Sequence, residues 1–170
     1  MIVAYNDGTR YLPMAKQHID LIGRLMKWMN PFAIQNYRRR IGPSKVLLIL
    51  TTRGRKTGKP HLTPLQFEEI DGSFYIASAR GKASDWYRNI LVDPEVKVDV
   101  NQKHFRCRAE TITDTMRIAD FLEYRLERHP VMIRMMLWME GLPLCIKRGD
   151  IEALAEKKAL VAIHLKEPLN

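Results

Sequence analysis

The segment from Val46 to Ile70 constrains this chain most. An apolar run, Val46-Leu47-Leu48-Ile49-Leu50, enters the turn Thr51-Thr52-Arg53-Gly54-Arg55-Lys56-Thr57-Gly58-Lys59-Pro60, and a second extended segment, His61 to Ile70, leaves it. A continuous apolar run of this length is the mark of a strand buried on both faces. Glycines let a turn bring backbone N–H groups toward a ligand, and Arg and Lys add charge-assisted hydrogen bonds. The pattern predicts a buried strand, a cationic anion-holding turn and an antiparallel return.

The charge distribution points to the same place. No Asp or Glu occurs between Leu21 and Phe67, whereas Arg24, Lys27, Arg38, Arg39, Arg40, Lys45, Arg53, Arg55, Lys56 and Lys59 do. The chain carries 28 Lys and Arg against 19 Asp and Glu, so removing those ten leaves 18 against 19. The basicity is therefore local, and such a field attracts a phosphorylated cofactor, a nucleic acid or an anionic membrane face. Two nucleotide motifs are excluded. Gly54 and Gly58 have three residues between them where a P-loop has four, and Lys59 is followed by Pro60, so the turn lacks the hydroxyl and the helix of a P-loop. No G-x-G-x-x-G occurs.

The remaining pattern is mostly strands followed by helices. Residues 1–16 read as a leader and 17–40 as a basic amphipathic helix interrupted at Pro31. Strands are expected at Lys45 to Thr52, His61 to Ile70, Ser73 to Ala79, Glu95 to Val100 and Lys103 to Ile112, with hairpin signals at Asp71-Gly72 and Asn101-Gln102. A short helix starts at Ser84, its expected N-cap, and Asp93-Pro94 closes it. Further helices run from Thr113 or Asp114 to Arg128, from Val131 to Glu140, and from Asp150, the expected cap, to Lys158. Val161 to Leu165 is the last strand. One α+β domain over 1–170 is expected, a small mostly antiparallel barrel or roll: helix in 1–40, barrel strands in 45–112 with the short helix at 84–92, and covering helices in 113–165.

Cys107 and Cys145 have neither metal-ligand nor disulfide spacing and read as free thiols in a reducing compartment. No signal-peptide pattern and no run of about 18 apolar residues is visible, so a cytoplasmic protein is expected. Peripheral contact of residues 17–40 with the inner face of an anionic membrane is compatible with that reading, as is packing of the same helix on the barrel. The histidines show no ligand pairs, so no metal is expected, and no serine nucleophile elbow occurs.

Several motifs recur in a fixed order: Leu-Thr-Thr-Arg-Gly-Arg-Lys-Thr-Gly-Lys at 50–59, Thr63-Pro64-Leu65, Asp71-Gly72, Ala77-Ser78-Ala79-Arg80-Gly81, Asp85-Trp86-Tyr87-Arg88-Asn89-Ile90 and Asp93-Pro94-Glu95-Val96. Together, over roughly residues 45–140, they resemble the deazaflavin-dependent nitroreductase family, split β-barrel oxidoreductases that use coenzyme F420, an 8-hydroxy-5-deazaflavin. The resemblance implies that Arg55, Lys56 and Thr57 hold the coenzyme phosphate. It implies that His61, Leu62, Thr63, Pro64 and Leu65 line the deazaflavin, that Ala77, Ser78, Ala79 and Arg80 continue the wall, and that Asp85, Trp86, Tyr87, Arg88 and Asn89 pack beside it. The implied fold is a split barrel, an FMN-binding-like roll, and the implied activity is hydride transfer to a small flat electron-poor acceptor: a quinone, an enone or a nitroaromatic.

The acceptor pocket is expected under the segment holding Tyr124, Met132, Met135 and Met136. Family members that reduce nitro compounds place tyrosines around a proline matching Pro130. This chain has His129 before that proline, with Met132 and Met135 at the tyrosine positions, which sets nitro compounds apart from the other acceptors. His129 is a candidate proton donor, or a helix-end histidine bonded to a carbonyl. The methionines form either a plastic roof over substrate or helix–helix packing. Trp86 reads as a packing anchor rather than a catalytic group. Two other functions remain: a split barrel binding FMN, haem or lipid, and a nucleic-acid-binding sheet, disfavoured because Phe67, Tyr75 and Phe105 lack the paired RNA-binding motifs.

Overall fold

The computed structural model describes residues 31–37, 47–78, 80–143 and 145–169, with side chains to residue 166. Residues 31–37 form helix α1. Most of the predicted 17–40 helix, and the cations Arg24, Lys27, Arg38, Arg39, Arg40 and Lys45, lie outside the described residues.

Seven strands follow: β1 (Leu47–Arg53), β2 (Pro60–Gln66), β3 (Glu68–Ile70), β4 (Ser73–Ser78), β5 (Glu95–Val100), β6 (Lys103–Ile112) and β7 (Ala159–Leu169). Helix α2 (Asp85–Val92) lies between β4 and β5. Helices α3 (Thr115–Arg128), α4 (Pro130–Met139) and α5 (Arg148–Ala155) lie between β6 and β7. All pairings are antiparallel in one sheet of order β2-β1-β5-β6-β7-β4-β3. This is the α+β split barrel that the sequence pattern and the resemblance imply.

Where the chain alternates cleanly, the structure follows it. Val96, Val98 and Val100 of β5 and Cys107 and Ala109 of β6 point into the barrel. Asp71 and Gly72 take φ of 50° and 74°, the paired left-handed conformation of a two-residue hairpin, and Asn101 and Gln102 repeat it at 50° and 64°. The barrel core gathers Leu48, Leu50, Ile76, Val98, Cys107 and Val161, and α2 plugs it with Trp86, Tyr87 and Ile90. Burial of each such large side chain contributes about 2–3 kcal/mol. A second core lies on the other face of β7, where Leu160 and Ala162 meet Ile118, Phe121 and Leu122 of α3 and Ile151 of α5. With both faces covered, β7 needs apolar residues at successive positions, hence Ala159-Leu160-Val161-Ala162-Ile163.

Four expectations need correction. The predicted strand from His61 to Ile70 is two strands. β2 pairs with β1 and β3 pairs with β4, at opposite ends of the sheet order, with only Phe67 between them. The sheet must curl until its ends meet, and Phe67 fixes the seam by packing edge-on against Phe74 at 5.0 Å. The final strand is 11 residues long rather than five, and central. Asp150 is not the cap of α5; it lies inside the first turn, where its carboxylate accepts from Lys147 N at 2.8 Å. Ser84 does precede α2, but its hydroxyl is bonded to that of Ser78 and caps nothing. Asp114, by contrast, caps α3, accepting from Arg117 N at 2.8 Å. Among the described residues no helix is long and apolar enough to cross a membrane.

Candidate functional site: a cavity at the barrel seam

Strands β2 and β4, on either side of the seam, are not paired with each other, and both line a cavity of about 360 Å³. One wall is Thr63, Pro64, Leu65 and Gln66 of β2 with Leu47 of β1. The other is Ala77 and Ser78 of β4, Arg80, Ser84, and Asp85 and Trp86 of α2. Leu122 and Arg125 of α3, and Ile133, Met136 and Leu137 of α4, cover it; Glu140 and Lys158 complete the rim. The size and the mainly apolar wall with a few polar groups are those of a small-molecule site.

The cationic turn lies beyond α2 and is joined to it. Arg55 donates from Nη2 to Asp85 Oδ1 at 3.1 Å, and from Nη1 to the Asp85 carbonyl at 3.3 Å and to Asn89 Oδ1 at 3.0 Å. Its backbone N–H also reaches Asn89 Oδ1, at 3.2 Å. Asn89, 3% exposed, completes the clasp by donating to Thr52 Oγ1 at 3.1 Å. Asp85 therefore borders the cavity while holding the turn.

The turn differs chemically from the expectation of free backbone amides. Gly54 N donates to Lys59 O at 2.9 Å, Thr57 N and Gly58 N both donate to Gly54 O, and Lys59 N donates to Thr57 Oγ1 at 3.3 Å. With the Arg55 amide on Asn89, these groups are used within the protein. What the turn offers outward is side-chain charge, from the exposed Arg53, Lys56 and Lys59. Gly54 has no room for a side chain, because a Cβ there would lie 2.7 Å from the His61 ring and 2.9 Å from Thr57 Oγ1.

Of the residues predicted for the site, the cavity gathers Thr63, Pro64, Leu65, Ala77, Ser78, Arg80, Asp85, Trp86 and Met136. Lys56, Thr57, His61, Leu62 and Arg88 are exposed and lie off its wall, and Tyr87 is buried in the barrel core. Ala79 lies outside the described residues. Met135 faces solvent, Met132 Sδ lies 3.9 Å from Gln66 Nε2, and the Tyr124 hydroxyl accepts from Arg128 at 2.9 Å. His129 Nε2 is 3.3 Å from Glu68 Oε1, beside Arg125 and Arg128, and is not part of the cavity wall. Sequence reasoning missed Gln66, Arg125, Glu140 and Lys158. Nothing local marks them, since each becomes a site residue only through long-range packing.

The fold is a split barrel whose seam holds a cavity of small-molecule size. Residues 35–132 match the sequence profile of the F420H(2)-dependent quinone reductase family, and the chain belongs to that family. An F420H(2)-dependent quinone reductase of Mycobacterium tuberculosis (strain H37Rv) is 29% identical over 68 residues, which is 38% of this chain and 46% of the relative. The chain thus spans about half the length of the curated relatives it matches. A conserved hypothetical protein of M. tuberculosis has a similar structure, with a TM-score of 0.52 at 20% identity over 72% of this chain and 74% of that one. The heme storage protein HutZ of Vibrio cholerae matches with a TM-score of 0.50 at 15% identity, over 79% and 89%. At these identities the two structures bear on the fold alone.

Proposed function

We propose that this protein is an F420H2-dependent reductase that transfers a hydride to a flat, conjugated acceptor of the quinone or enone class. One observation carries the reading: Asp85 borders an apolar cavity and also anchors the cationic turn through Arg55. A ligand spanning both places needs a flat ring at one end and an anionic chain at the other, and a deazaflavin with its phosphate and glutamyl carboxylates has that form.

The residues fit such a group. Pro64, Leu65, Ala77 and Trp86 offer apolar surface to a ring, and Ile133, Met136 and Leu137 cover the opening and exclude water. Lys56, Lys59 and Arg53 would hold the anionic tail by charge. Arg55 would act one step back, fixing the turn against α2. The bound reduced deazaflavin supplies two electrons as a hydride, and the protein contributes orientation and electrostatics. Met136 and Ile133, which line the same cavity, would limit the width left for an acceptor.

The test is fluorescence titration of the purified protein with oxidised F420 and, separately, FMN, repeated on Lys56→Ala/Lys59→Ala. Micromolar or tighter deazaflavin binding, weakened at least tenfold by the double variant, supports the reading. FMN binding alone, or binding of neither, overturns it.

A further inference from the structure

The rim of the cavity holds a buried ion pair that the cofactor reading leaves without a task. Lys158, 6% exposed, pairs through Nζ with Glu140 Oε2; the carboxylate belongs to the residue that follows α4 as its C-cap, and the lysine immediately precedes β7. Removing both charges from water costs several kcal/mol unless the geometry is excellent, so such a pair is a poor device for stability alone.

The lysine stands on a rigid platform. Gly81, at φ 54°, lets the turn before α2 lie directly on the chain at 157–158, where a Cβ would come within 2.0 Å of the Lys157 carbonyl oxygen. Lys158 N donates to Ala155 O at 3.0 Å, which fixes the other side. The other cations of the wall, Arg80 and Arg125, carry guanidinium groups that do not give up a proton, and Arg125 is held by Glu68 and Gln66. An ammonium can both neutralise an oxyanion and transfer a proton to it.

We propose that Lys158, positioned by Glu140, is the catalytic acid for the acceptor, and that the site selects acceptors whose reducible carbon is conjugated to an oxygen at the Lys158 end. The inference rests on the reductase reading above. The acceptor gains a hydride, two electrons and one hydrogen, from the reduced deazaflavin. Negative charge then collects on its conjugated oxygen, an Nζ–H bond of Lys158 breaks as the O–H bond forms, and the resulting amine takes a proton back from water.

The experiment has a cofactor-free arm and a turnover arm. In the first, the protein is titrated with 1-naphthol and with its methyl ether, a product-like hydroxyl and its blocked form. Wild type should prefer the naphthol at least tenfold. Lys158→Met/Glu140→Met, which leaves no lone buried charge, should lose the preference while holding the ether equally well, and Lys158→Arg should keep it. In the second, with 1,4-naphthoquinone, Lys158→Arg should lose at least 100-fold in kcat with KM within threefold, and oxidised F420 should bind every variant within twofold. No naphthol preference in wild type, a preference retained in the double variant, or near-native turnover of Lys158→Arg would each overturn the inference. Failure of F420 to bind wild type would instead remove the reductase reading, and the naphthol arm would still judge Lys158.

Discussion

Arg125 Nε donates to Glu68 Oε1 at 3.3 Å, joining the last turn of α3 to the first residue of β3 where both side chains are buried. Arg128 and His129 approach the same carboxylate, so one anion holds the corner between α3 and α4 against the sheet. Glu68→Ala leaves Arg125 buried without its countercharge and should cost about 3–5 kcal/mol, read from urea unfolding. Glu68→Leu/Arg125→Met should recover part of that. If Glu68→Ala costs under about 1 kcal/mol, the corner is held by other means.

Gly81 and Gly72 separate two kinds of glycine requirement. Both have positive φ, but only Gly81 faces backbone: a Cβ there would meet Lys157 O at 2.0 Å, while one at Gly72 would have nothing within 4 Å. Gly72→Ala should cost about 1 kcal/mol, the left-handed penalty alone. Gly81→Ala should cost about 3 kcal/mol or more, because the turn must leave the 157–158 backbone. Thermal unfolding of the two variants decides the order.

Arg55 and Lys56 are neighbours with separable tasks. Arg55→Ala removes three side-chain hydrogen bonds to α2 and should lower both stability and F420 affinity. Lys56→Ala, at an exposed position, should leave the melting temperature within about 1 °C and weaken F420 about tenfold. A weaker salt dependence of binding would accompany the second change. Equal effects of the two on melting would contradict the clasp.

Cys107 is fully buried, and burial pushes its thiol up to about 11, while Cys145 is exposed. A thiol-reactive chromogen at pH 8 should therefore label one equivalent in the native protein and a second only on unfolding. Cys145→Ser should abolish the fast equivalent.

Tyr37 contributes a pH signature. Burial first, and then the Asp99 carboxylate, raise its hydroxyl from 10.0 to about 12, and it donates to Asp99 Oδ1 at 3.1 Å. The folded state holds the proton more tightly than the unfolded state. Its stabilisation is complete below about pH 10 and is lost as pH rises toward 12, on the order of 2 kcal/mol. Tyr37→Phe should flatten that part of the stability profile, and an unchanged slope would remove Tyr37 from the account.

The sequence was legible where its signals were local. The β5–β6 hairpin, the Asp71-Gly72 turn and α3 with a cap at Thr113 or Asp114 are readable from alternation, turn chemistry and capping, and the structure chooses Asp114. The break at Phe67 was not legible, since Gln66, Phe67 and Glu68 continue one alternation and only their partners change. Helix phase decided the methionines: Met136 faces the cavity and Met135 solvent. At the turn, the neighbourhood was readable but the chemistry was not, because Arg55 serves the fold through Asp85 and Asn89. Glu140 and Lys158 follow two different helices, and no pattern in either announces that they meet.

The central place of β7 governs how the chain can come to its structure. It is synthesised after the other six strands, yet it lies between β6 and β4, which are made long before it. Until residues 159–169 arrive, the sheet exists as two unjoined halves, β2-β1-β5-β6 and β4-β3, each with an open edge. The barrel core, the seam cavity and the Lys158 platform all depend on that late insertion. A growing chain can preform hairpins on the ribosome, but it cannot close the seam cavity there, and its period of greatest exposure to wrong strand pairing falls immediately before that cavity comes into being.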